Sequence, residues 1–81
     1  MSAHARPGPG HYERLIVQIT GCTRREAAVV EDIMRRDVFQ SSLDWQSPEE
    51  FKGGVRLAFA ALQAMRRTGV LPEEYQRMLE E

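Results

Sequence analysis

The residues of this chain whose types could do chemistry are few, and their spacing does not favour it. Nucleophilic catalysis needs a serine or cysteine within reach of a base. The only two histidines, His4 and His11, stand in or beside an N-terminal stretch rich in proline and glycine. The single cysteine, Cys22, falls at a predicted helix start beside Arg24 and Arg25, a setting that can activate a thiol, but no base accompanies it. The carboxylate pairs Glu49–Glu50 and Glu73–Glu74 open predicted helices, where capping and the helix dipole account for them. Gly53 and Gly54 lie inside a helical pattern and form no phosphate-cradling loop. If Met1 were removed, Ser2, Ala3 and His4 would offer an amine, two amides and an imidazole, a square-planar set suited to Cu(II) or Ni(II). A tail histidine without that role is the simpler reading. One cysteine leaves no intramolecular disulfide and no cysteine-based metal site. No catalytic residue, cofactor or metal ligand is assigned, and a non-enzymatic role is expected.

Two groups of basic residues carry more functional content. The first lies in residues 13–32, ERLIVQITGCTRREAAVVED, which read as helix, Gly21 in the turn, then helix. That is the plan of a helix-turn-helix, with Arg24 and Arg25 opening the second helix, where they could reach phosphates or guanine edges. Thr20 occupies a position where an apolar side chain would serve better, and Glu26, Glu31 and Asp32 put acid on the second helix. The second group is Lys52, Arg56 and Arg67, which with Gln63 form a polar arc on the longest predicted helix. They suit an acidic partner or phosphates, or alternatively a solvated edge facing an acidic C-terminal helix.

The first of these stretches resembles the opening helical hairpin of the HU/IHF family of DNA-bending proteins, through Thr20, Gly21, Thr23, Glu26 and Ala27. The resemblance covers about a quarter of the chain. In that family the hairpin serves mainly dimer packing, and the strands and DNA-gripping arms are missing here. It therefore implies no DNA-contacting residue.

The elements that must position these residues are helices. Ser47 with Glu50 three residues on forms a capping box, Pro48 fits the first helical position, and Gly69 suits the C-terminal cap. Projected at about 100° per residue, the helix between them is apolar over roughly twice the width that a one-sided surface helix needs. Phe51, Val55, Phe59 and Leu62 form a core face. Gly53, Gly54, Leu57, Ala58, Ala61 and Ala64 form a second face of small side chains, with Met65 at the seam. Each glycine inside a helix costs about 0.8–1 kcal/mol relative to alanine, so the pair predicts a close neighbour, either another helix of the chain or a second copy, the alternative being a weakened first turn that bends slightly. Gly53, Gly54, Leu57, Ala61 and Ala64 are the candidate interaction residues.

The remaining chain follows the same logic. Tyr12, Leu15, Ile16 and Ile19 give residues 11–20 one helical face. Thr23 and Glu26 box a second helix with Ala27, Val30, Ile33, Met34 and Val38 inward. Its other side, Arg24, Arg25, Glu31, Asp32, Arg35 and Arg36, reads as solvated and laced by Glu31–Arg35 and Asp32–Arg36 pairs. Around residues 37–46 the period breaks, and Phe39, Leu43 and Trp45 are expected to fold inward, a binding anchor being the rival reading of Trp45. Pro72 opens a short C-terminal helix with Tyr75, Met78 and Leu79 on one face.

Eighty-one residues with 42% hydrophobic and 28% charged side chains describe a small soluble domain. A net charge of −1 creates no global field toward nucleic acid or membrane. No apolar run is long enough to span a bilayer and no signal-peptide core is present, so a cytoplasmic location is expected. The expectations are an all-α bundle of three main helices plus a short C-terminal one, with a disordered tail over 1–10 and one helical domain over 11–81. The function expected is a protein-interaction or regulatory domain, homodimeric or bound to a protein partner. The alternative is a small helix-turn-helix-like DNA-binding regulator.

Overall fold

Left-handed glycines and reciprocal capping boxes set the helix boundaries. A computed structural model of the chain describes residues 10–40 and 42–80, and among these no strand occurs. Helix α1 spans His11–Thr20, α2 Arg24–Ile33, α3 Pro48–Thr68 and α4 Glu73–Glu80. A π-helical turn, Met34–Val38, continues α2, and a single 3-10 turn, Leu43–Trp45, precedes α3. The expected disordered tail lies outside the described residues except for Gly10. That residue is the left-handed N-cap of α1 (φ 79°), its carbonyl accepting from the Arg14 amide at 3.0 Å.

The turn between α1 and α2 shows why its residues are what they are. Gly21 adopts φ 74°, a conformation open to glycine at little cost, and its N–H donates to the Val17 carbonyl at 2.7 Å. Thr20 is not the poor inward residue that its position suggested. Its hydroxyl donates to the Ile16 carbonyl at 2.9 Å and accepts from the Cys22 amide at 3.1 Å, satisfying backbone groups at a helix end. Thr23 Oγ1 then accepts from the Glu26 amide at 3.1 Å while Glu26 Oε1 accepts from the Thr23 amide at 2.9 Å. Those bonds, and the Arg66 guanidinium at 2.6 Å, hold the Glu26 carboxyl below its ordinary pKa. Ser47 and Glu50 repeat the box at α3 with bonds of 3.2 and 3.0 Å, and Gly69 closes α3 at φ 74°.

The hub of the bundle is α2, not the longer α3. It packs against α1, α3, α4 and its own π continuation. Ala27, Val29, Val30, Ile33 and Met34 are buried along it, with Ile16 from α1 and Phe51, Val55, Ala58 and Leu62 from α3 closing the core. Its polar side is partly engaged as well. The Tyr75 hydroxyl of α4 donates to Asp32 at 2.7 Å, Arg36 meets Glu74 at 2.9 Å, and Arg25 donates to the Glu80 carbonyl at 3.2 Å. Part of the side expected to be solvated is therefore the dock for α4, while Arg24, Arg25, Arg35 and Arg36 stay exposed. The acids of α4 answer α2 and their own helix (Arg77–Glu73, 2.8 Å), not the basic arc of α3.

Residues 39–46 divide as the expectation did not. Leu43 is buried and Phe39 half-buried, but Trp45 is 81% exposed. The 3-10 turn places successive side chains on different sides, so seating Leu43 in the core turns Trp45, two residues on, outward.

Candidate interaction surface

The two adjacent glycines of α3 have opposite surroundings. A Cβ on Gly54 would sit 2.6 Å from ring carbons Cε2 and Cζ of Phe39, whereas one on Gly53 would meet nothing within 4 Å. Gly54 thus makes the close approach that the pair predicted, but its neighbour is the Phe39 ring at the end of the π turn, not a helix or a second copy. Gly54 and Ala58 are buried and belong to the core face. This removes Gly54 from the candidate interaction set.

What remains on the far side of α3 is a bare apolar ridge. Leu57 is 62% exposed, Gly53 and Ala60 are exposed, and Ala61 and Ala64 are half-buried at its margin. Gly53, Leu57, Ala60 and Ala64 step by four, three and four residues, which on a helix is one continuous row. Ala60 was missed from sequence because the small-residue face was centred on Gly54 and Ala58. The four-three-four step itself was the signal available. Val70, just past the Gly69 cap, adds a further side chain 64% exposed.

The basic candidates are all at the surface. Lys52, Arg56 and Arg67 are exposed, and none has a carboxylate within ion-pair distance among the described residues. The same holds for Arg24 and Arg25, in contrast to Arg35 and Arg36 at the other end of α2, which pair with Glu31 at 2.7 Å and Asp32 at 3.1 Å. A recognition helix must lay its length against a groove. Arg24 and Arg25 stand exposed in the first turn of α2, while Ala28, Glu31 and Asp32 further along it are half-buried.

A groove of about 410 Å³ opens between α1, the 3-10 turn and the start of α3. Leu15, Ile19, Leu43, Pro48 and Phe51 line it, with Asp44 and Lys52 at its polar edge. It exists because Tyr12, Leu15 and Ile19, read as a core face, are only half-buried; Ile16 alone of α1 is fully enclosed. The Tyr12 hydroxyl donates to Asp44, the Phe51 ring lies 5.6 Å away, and Arg35 covers the tyrosine ring at 5.6 Å. Burial, and then the Asp44 carboxylate that accepts its proton, push the Tyr12 phenol up to about 12.

Among the described residues no nucleophile–base pair is assembled from the candidates. His11 stacks edge-on against Tyr12 at the start of α1, while Cys22 lies half-buried beyond its end, on the order of 15 Å away along a ten-residue helix. Among the described residues no cluster of metal-ligating side chains occurs, no helix is long and apolar enough to cross a membrane, and no buried side-chain polar atom lacks a partner.

Protein-family models, curated proteins and solved structures give no match to this chain. The HU/IHF resemblance rests on its five residues alone. Function has to be argued from the surface itself.

Proposed function

We propose that this chain is a non-enzymatic interaction domain that self-associates through the ridge Gly53, Leu57, Ala60 and Ala64 of α3, with Ala61 at its margin. The observation that carries the reading is Leu57, 62% exposed in the middle of a row of small side chains. Small neighbours let a second helix approach closely, and a leucine among them supplies a knob for that helix to receive. Gly53 supports the reading too. It gives up about 0.8–1 kcal/mol of helix propensity at a position where the chain itself needs no small residue. The single Cys22 fits a reducing compartment such as the cytoplasm.

The test is association against concentration, by light scattering or sedimentation up to high micromolar protein. The wild type is expected to dimerise, and Ala60→Glu to stay monomeric with its helix content unchanged and with the melting temperature that the wild type shows when dilute. Ala60 is exposed in the monomer, so an unfolded variant is not expected. A wild type that remains monomeric across that range removes the proposal.

A further inference from the structure

The charges flanking the ridge point to how two copies would meet: we infer that α3 pairs with α3 of a second copy antiparallel, Glu49 of each beside Arg67 of the other. This rests on the self-association proposed above and adds its orientation and register. Glu49 and Arg67 stand eighteen residues apart, which at 3.6 residues per turn is five turns. They therefore lie on the same flank of α3, about 50° from the centre of the ridge, one near each end. Both are exposed and neither has an ion-pair partner among the described residues.

A two-fold axis that reverses the helix direction keeps flank against flank and inverts the order of residues along it. Centred on the ridge, between Ala58 and Phe59, it sets Gly53 level with Ala64 and Leu57 level with Ala60, a large side chain over a small one in the inner pair. The same operation brings Glu49 and Glu50 level with Thr68 and Arg67. Glu50 already gives one oxygen to the Ser47 amide at 3.0 Å, so Glu49 is the freer acid. A parallel pair has its two-fold axis along the helices and sets each flank against the opposite one, so Glu49 would face Glu50 of the second copy and Arg67 would face Thr68. Flanking charges set the orientation of paired helices, and here only the antiparallel order places opposite signs together. The partner that fits the ridge is a second copy of the same helix turned end for end.

Charge reversal reads this out. Glu49→Lys puts an ammonium against Arg67 twice in the dimer, and Arg67→Glu puts two acids together twice. Each single variant is expected to weaken dimerisation on the order of tenfold, since two exposed pairs change from attraction to repulsion. An equimolar mixture of the two variants, and the double variant E49K/R67E, should recover the wild-type dissociation constant. In a parallel pair Glu49→Lys would turn a repulsion with Glu50 of the second copy into an attraction and Arg67→Glu would meet no charge, so dimerisation that is unchanged or strengthened in both would overturn the register. Failure of the double variant to recover would overturn it as well. A monomeric wild type would remove the self-association itself, and is distinguishable from either result. Circular dichroism checks that each variant keeps its helices. Should a reversal cost helix content, Glu49→Gln and Arg67→Gln should each weaken dimerisation at smaller amplitude with no recovery in the double variant, and unchanged dimerisation of both would overturn the register.

Discussion

The two faces of α3 share one backbone and differ in what answers them. On the core face, Phe51, Gly54, Val55, Ala58 and Leu62 step by three, one, three and four residues and are all buried. On the opposite face, Gly53, Leu57 and Ala60 are nearly as apolar and stand exposed, with Ala64 half-buried at the end of their row. Composition does not separate the faces, since both mix glycine, alanine and one or more large aliphatics. What separates them is that α2 and the π turn approach from one side only. A glycine on the first face is required by its neighbour. A glycine on the second is a vacancy in propensity that the monomer does not use.

The sharpest way to break that comparison is to truncate a leucine on each face. Leu62 is fully enclosed, and Leu62→Ala is expected to cost about 2–5 kcal/mol in stability measured by urea unfolding. Leu57→Ala should change monomer stability by under about 0.5 kcal/mol. Comparable losses at both sites would mean that the two faces are equally packed. The glycine pair gives smaller effects, of opposite sign to one another. Gly54→Ala drives a methyl onto the Phe39 ring and is expected to destabilise by about 1–2 kcal/mol, overpacking outweighing the gain in helix propensity. Phe39→Leu should relieve part of that loss in a double-mutant cycle. Gly53→Ala should stabilise the monomer by about 0.8–1 kcal/mol.

Smallest at neutral pH, but diagnostic of how α1 and α4 are held, is the response to base. Tyr12 and Tyr75 both donate to aspartates, Asp44 and Asp32, and burial, followed by those carboxylates, raises both phenol pKa values above the ordinary 10.0. A raised folded pKa contributes stability that is whole below about pH 10 and is lost as pH rises toward the folded value. The protein should hold its stability to about pH 10 and lose it progressively from there to about 12, where Tyr12 ionises in the fold. Tyrosine absorbance and circular dichroism followed together check this. Absorbance titrating near 10 with no change in stability would show both hydroxyls free in solution.

The local features of the fold were legible in sequence and the long-range ones were not. Both capping boxes, the glycine stops at 21 and 69, and the inward set of α2 follow from residues within a few positions of one another. The docking of α4 does not. Arg36–Glu74, Tyr75–Asp32 and Arg25–Glu80 join residues 38 to 55 apart, and nothing in local spacing distinguishes them from solvated charge. Trp45 was misplaced because size alone argued for burial, while the geometry of a three-residue turn decided which of Leu43 and Trp45 could have the core. The ridge was half legible. Its row of small side chains could be read from the helical wheel, but which glycine belonged to it depended on where a π turn put Phe39.

The docking of α4 has a consequence for the order in which the chain assembles. Eight residues are too few to hold a helix in water without neighbours, so α4 exists only while α2 presents Asp32, Arg36 and its other contacts. The helical hairpin of α1 and α2 closes across a short turn, a fast local event, whereas α4 must return across roughly forty residues of chain to find its seat. It is therefore the last element to form and the first to open. The amides of residues 73–80 would exchange with solvent ahead of those of α2 and α3, so this end of the chain breathes while the body carrying the ridge stays closed.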